Sequence, residues 1–144
     1  MEMREVKRVL NSELHKWGFE YIKKSYYYSN NKFIIVVEVQ HSNYDRSFYI
    51  NYGILIKALH PEFEYPKEVF CDVRGRLIRM NKKGADFHLE ECTAEELIKT
   101  VDFEAKRIFM PIIENDLKKF YELNPGAIAV TTQKARNYIN LTIE

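Results

Sequence analysis

The stretch that most constrains the fold is residues 33–56, FIIVVEVQHSNYDRSFYINYGILI. Two runs of β-branched and aromatic residues flank the polar Asn43-Tyr44-Asp45-Arg46, the pattern of two strands joined by a turn. Side chains of a strand alternate between its faces. Phe33, Ile35, Val37 and Val39 therefore share one side of the first strand, and Phe48, Ile50, Tyr52, Ile54 and Ile56 one side of the second. An antiparallel register turning both sets to one core places Val39 opposite Ile50, Val37 opposite Tyr52 and Ile35 opposite Ile54. On the other side it places Gln40 opposite Tyr49 and Glu38 opposite Asn51. A slip of one residue would turn each apolar set to the wrong face, so the register is strongly specified.

The rest of the chain can be arranged around this pair. Residues 2–17 read as a helix whose Met3, Val6, Leu10, Leu14 and Trp17 form one apolar stripe, stopped by Gly18. Residues 19–28 read as a strand, and Asn30-Asn31 as a hairpin turn. That turn pairs Tyr28 with Phe33, Tyr26 with Ile35, Ile22 with Val39 and, on the opposite side, Lys23 with Glu38. Residues 59–69, with Pro61 and Pro66, read as a loop. Residues 70–80 read as a fourth strand, with Cys71, Val73 and Leu77 on one side, Arg74 and Arg76 on the other, and Gly75 marking a bulge. Residues 81–88 are polar and turn-like. Thr93-Ala94-Glu95-Glu96 has the form of a capping box. A long helix follows through Val101, Ile108, Ile112, Leu117 and Tyr121, with a kink at Pro111 and a break near residues 100–102. Asn124-Pro125-Gly126 ends it, and a last helix starts near Thr132. The order predicts a single α+β domain: an antiparallel meander of about four strands, with the N-terminal helix and the C-terminal helices packed on one face.

At 144 residues, 46% hydrophobic and 14% aromatic, the chain can bury a core of its own. The formal net charge of +1 lacks the basic excess of a protein that must neutralise a run of phosphates. Cys71 and Cys92 lack metal or redox spacing and read as reduced thiols. The first 17 residues are too charged for a signal peptide, and no apolar run approaches the roughly 20 residues that span a bilayer. The expectation is a cytoplasmic protein with no membrane association.

The polar side of the sheet is the candidate surface. The register sets Tyr21, Gln40 and Tyr49 in one row, and Lys23, Glu38 and Asn51 in the next, with Ser42 at the edge. Hydroxyl, amide and charged groups of this kind suit partner recognition, and tyrosine rings add contact area; the same pattern also suits a solvated face stitched by cross-strand pairs. Tyr27, Ile34, Val36 and Leu55 make the other end of this face apolar, so the C-terminal tail or a second subunit should cover it. His41 and Ser42 with Asp45 or Glu38 invite a triad reading, but neighbouring strand residues point to opposite faces, and G-x-S-x-G is missing. His15, His41, His60 and His88 lack metal-ligand spacing; His88 with Glu90, Glu91 and Cys92 is the nearest cluster. Arg74, Arg76, Arg79, Lys82 and Lys83 form a basic stretch that suits either a charge-protected edge strand or a grip on phosphate or an acidic partner. The chain has no RNP-type motif and no glycine-rich phosphate loop.

The N-terminal helix, the Gly18-Phe19 step, the tyrosine-rich strand, Gln40-His41-Ser42 and Phe48-Tyr49-Ile50-Asn51-Tyr52-Gly53-Ile54 together resemble the family catalogued as domain of unknown function 4304. The resemblance runs over residues 6–80 and extends to the C-terminal helices in general character. It implies a small bacterial α+β domain and brings no catalytic residues with it. By analogy of size and type, it also suggests an immunity protein acting against a toxin. The expected function is a non-enzymatic binding or immunity-type module that needs no cofactor. Its partner would be a protein, toxin-like or a second copy of the chain, met by Tyr21, Gln40, Ser42, Tyr49, Asn51, Arg74 and Arg76. The alternative is a nucleic-acid-associated protein working through residues 74–83, against which the near-neutral charge argues.

Overall fold

The structure, a computed structural model, describes residues 1–80 and 84–143, the side chains through residue 140. Helix α1 (Met3–His15) buries Val6, Leu10 and Leu14 along one stripe. It ends where Gly18 takes φ +90° and the Phe19 N–H reaches back to the Leu14 carbonyl at 3.1 Å, the Schellman closure that a glycine permits.

The sheet is antiparallel, in the order β1 (Glu20–Ile22), β2 (Ser25–Ser29), β3 (Phe33–His41), β4 (Ser47–Ile56) and β5 (Val73–Arg76), with β6 (Phe87–His88) pairing the start of β4. The central β3–β4 register is the expected one: Val39 faces Ile50, Gln40 faces Tyr49 and Glu38 faces Asn51. Its inner side carries Phe33, Ile35, Val37, Ile50 and Ile54 into the core, under α1 and the C-terminal helices.

Four strand assignments differ from expectation. Residues 19–28 are two strands, because the chain turns sharply at Lys23 and Lys24, both at positive φ (53° and 71°). The turn reverses the facing of everything before it. Tyr21 lies opposite Tyr26 on the inner side, its ring 5.0 Å from that of Tyr26, while Ile22 joins the outer apolar cluster. The pairs Ile22–Val39 and Lys23–Glu38 do not form. The β2–β3 connection is longer than a two-residue turn. The Asn30 side chain accepts from the Lys32 and Phe33 amides, and Tyr26 lies opposite Val37 instead of Ile35. The slide is by an even number of residues, so facing is preserved.

The fourth strand is shorter than residues 70–80, and Gly75 is not a bulge: the β4–β5 ladder runs unbroken, with Tyr52 opposite Gly75. A Cβ at Gly75 would lie 2.7 Å from the Tyr52 ring, so the glycine makes room for close packing. Cys71 does not share a side with Val73 and Leu77; it sits in a turn on the outer face. The short strand β6 falls where a polar turn was expected, and Lys82 and Lys83 lie outside the described residues.

The Thr93 hydroxyl caps α2 (Ala94–Glu104), accepting from the Glu96 amide at 3.1 Å. A wide π-helical turn (Ala105–Phe109) leads into α3 (Met110–Ile113), with no break at residues 100–102. The break comes after α3, where Asn115 adopts positive φ and Asp116 caps α4 (Leu117–Leu123) through the Lys119 amide. A 3-10 stretch (Pro125–Val130) leads to α5 (Gln133–Ile143), the predicted last helix. Thr131 bridges Val73 and so tucks the C-terminal segment against the edge of β5.

Candidate partner-binding site

The outer face of the sheet divides into two ends. At one, Tyr27, Ile34, Val36, Leu55 and Cys71 form a second buried cluster, with Ile22 and Phe63 packed against it. Within the chain its cover is the connection between β4 and β5, residues 57–72, in place of the C-terminal tail. Phe63 and Phe70 stack at 5.7 Å, and Tyr65 meets the Tyr27 ring edge-on at 5.3 Å. Cys71 presses onto the sheet above Gly53, where a Cβ would come within 2.6 Å of its Sγ. Buried Asp72 ties the connection down, accepting from the Ile56 amide at 2.7 Å and meeting His60 Nε2 at 2.8 Å. Burial pushes the Cys71 thiol well above its usual range, and the nearby Glu68 carboxylate adds to this.

At the other end the same strands carry polar residues and open onto a trough of about 940 Å³. The register lays Glu38, Asn51 and Arg76 in one row across three strands, with Gln40 and Tyr49 paired in the next. Two small networks result. Glu38 accepts from the Glu68 amide at 2.9 Å, and Glu68, only 6% exposed, binds Arg74 through two bonds of 2.8 and 3.1 Å. The Glu68 bonds hold the Arg74 guanidinium still further above its already high range.

Arg76 is held differently. Its guanidinium carbon lies 3.9 Å from the centre of the Tyr49 ring, its Nε donates to Asn51 Oδ1 at 3.2 Å, and Nη2 reaches Gln40 Oε1 at 3.4 Å. Asn51 Nδ2 closes the set by donating to the same Gln40 oxygen at 2.8 Å. Exposed Val69, Ile78 and Val130 form an apolar rim.

Of the residues that sequence pointed to, Gln40, Tyr49, Asn51, Arg74 and Arg76 come together here. Tyr21 and Ser42 do not. Tyr21 faces the inner side at the far edge, for the reason given by the Lys23-Lys24 turn. Ser42 spends its hydroxyl on the β3–β4 loop, accepting from the Tyr44 and Asp45 amides at 3.1 and 3.4 Å. Glu68, Val69 and Val130 were missed, because a connection and a C-terminal stretch reach the trough only through tertiary folding.

A Ser-His-Asp contact does exist, on residues other than those suspected. Ser47 Oγ lies 3.0 Å from His88 Nδ1, and His88 Nε2 lies 3.3 Å from Asp86 Oδ2. Ser47 is 7% exposed, whereas a nucleophile must be reached by its substrate. Asp45 accepts from the Ser47 amide at 2.9 Å, and hydrogen bonding from Ser47 lowers its carboxyl pKa. The cluster pins the β3–β4 loop to β6. Cys92 is buried elsewhere, and among the described residues no three His, Cys, Asp or Glu side chains converge as a cation site. Among them, too, no helix is long and apolar enough to cross a membrane.

The family model described as "Domain of unknown function (DUF4304)" matches residues 10–115. The chain belongs to that family. The match extends beyond residue 80, through the π-helical turn and α3 to the break at Asn115, and contains the whole sheet. Of the trough residues named above, only Val130 lies outside it. No curated protein and no solved structure matches the chain.

Proposed function

We propose that this DUF4304 chain is a non-enzymatic binding module that meets a protein partner at the open end of its outer sheet face. The observation that carries the reading is the contrast within that face: one end is sealed by residues 57–72, while the other opens as a wide trough with an apolar rim, lined by Arg76 whose guanidinium lies over the Tyr49 ring. An arginine backed by an aromatic ring, apolar contacts beside it and amides to satisfy hydrogen bonds match the anatomy of protein interfaces. The nucleic-acid alternative draws less support. Arg74 is occupied by Glu68, and Glu38 and Glu68 add negative charge to the same trough.

The finer reading is a cytoplasmic, immunity-type module opposing a toxin-like protein. Its two thiols would stay reduced, since Cys71 and Cys92 lie in different cores on opposite sides of the sheet. The test is co-expression with the products of adjacent genes. The tagged chain should retain one of them, and Tyr49→Ala with Asn51→Ala should release it while the fold is kept. Retention of none, or retention indifferent to both substitutions, would refute the reading.

A further inference from the structure

The acids of the trough are already committed. In the row Glu38–Asn51–Arg76, Glu38 is the acidic residue nearest in register to Arg76, yet it turns to the Glu68 amide. Glu68 in turn is engaged twice by Arg74. Among the described residues no carboxylate pairs with Arg76.

This guanidinium is nevertheless not a loose surface cation. Tyr49 supports its plane, Asn51 takes Nε–H and Gln40 takes one Nη2–H. A guanidinium has five N–H donors, so three remain, including both on Nη1. Ordering a long side chain before contact removes an entropic cost that binding would otherwise carry. A planar, pre-ordered fork with free donors suits a carboxylate.

We infer that Arg76 is the anchor for a carboxylate side chain of the protein partner, an Asp or Glu flanked by apolar residues. The inference rests on the binding-module reading and specifies its chemistry. A peptide segment fits better than a polyphosphate. The apolar rim of Val69, Ile78 and Val130 has no use for a phosphate chain, and Glu38 and Glu68 would repel successive phosphates. A single acid among apolar neighbours meets the Arg76 guanidinium and avoids both penalties.

The test uses the full chain labelled with nitrogen-15 and two capped tripeptides, acetyl-Leu-Glu-Leu-amide and its Leu-Gln-Leu twin. The Glu peptide should shift the Arg76 Nε–H resonance and bind at least about tenfold more tightly than the Gln peptide. Arg76→Gln should abolish that preference while leaving the backbone spectrum elsewhere unchanged. An oligouridylate should leave the Arg76 resonance unmoved at physiological salt.

Equal affinity for the twins, or no binding of the Glu peptide up to about 10 mM, overturns the inference. So does a preference that survives in Arg76→Gln, or an oligouridylate that displaces the Arg76 signal. The two proposals fail separately. A co-expressed partner released by the Tyr49 and Asn51 substitutions but indifferent to Arg76→Gln leaves the module standing and removes the carboxylate anchor. Discrimination between the twin peptides with no retained partner does the reverse.

Discussion

The two ends of the outer sheet face are made by the same strands and treated in opposite ways. Around Val36 and Leu55 the side chains are apolar, and the chain spends residues 57–72 covering them. Around Asn51 and Arg76 they are polar and paired among themselves, and nothing within the described residues seals them from solvent. Burying an apolar cluster returns hydrophobic free energy, whereas burying an amide or guanidinium costs unless each donor finds a partner. One sheet can therefore serve stability at one end and recognition at the other, provided the strands change character partway along. Here the change falls between Val36 and Glu38 on β3, and across Gly53 on β4.

The sharpest way to break this contrast is Leu55→Ala at the covered end. Leu55 is fully buried, and its truncation should cost about 2–5 kcal/mol by urea denaturation. A cost below about 1 kcal/mol would mean that residues 57–72 rest only loosely on the sheet.

Gly53→Ala asks the same question from the other side. The new Cβ would meet the Cys71 Sγ, so the connection must lift, at about 1–3 kcal/mol. Thiol chemistry reports on it directly. Because its folded-state pKa is raised from 9.0, the Cys71 thiol stays protonated where an exposed thiol has ionised. The unfolded chain releases this proton first, so the thiol leaves stability unchanged below pH 9 and erodes it as pH rises above that. Cys71 in the parent should resist alkylation at pH 9, and in Gly53→Ala it should react faster. Equal rates would contradict the seal.

Glu68→Ala tests the border between the two ends. Its partner Arg74 is half exposed and can turn to water, so the loss should stay near 1–2 kcal/mol. Thermal melts of the single and double variants with Arg74→Ala would measure the coupling, expected below about 1 kcal/mol.

How much of this was legible in the sequence follows from which signals are strong. The β3–β4 register could be read because long alternating runs fix facing with little freedom. The Asn30 turn is longer than the two residues the sequence suggests, but a slide by an even number preserves facing, so the β2–β3 core side is the expected one. The Lys23-Lys24 hairpin was not legible. Positive φ is cheap for Gly and Asn, and two lysines give no hint of it. That one turn moved Tyr21 off the candidate face. Gly75 illustrates a second kind of ambiguity, since a strand glycine marks either a bulge or a close approach, and only the Tyr52 ring decides. Residues 57–72 carried a clue in Phe63, Tyr65 and Phe70, too aromatic for a loop that serves only as a connection.

The central claim is that the open end is not needed for the fold. The direct measurement is the urea unfolding free energy of the double variant Gln40→Ala/Arg76→Ala beside Leu55→Ala. Both altered residues are exposed, so the double variant should lie within about 1 kcal/mol of the parent, while Leu55→Ala loses several times that. A double variant as unstable as Leu55→Ala would make the Tyr49–Arg76–Asn51–Gln40 network a structural clamp and contradict the account.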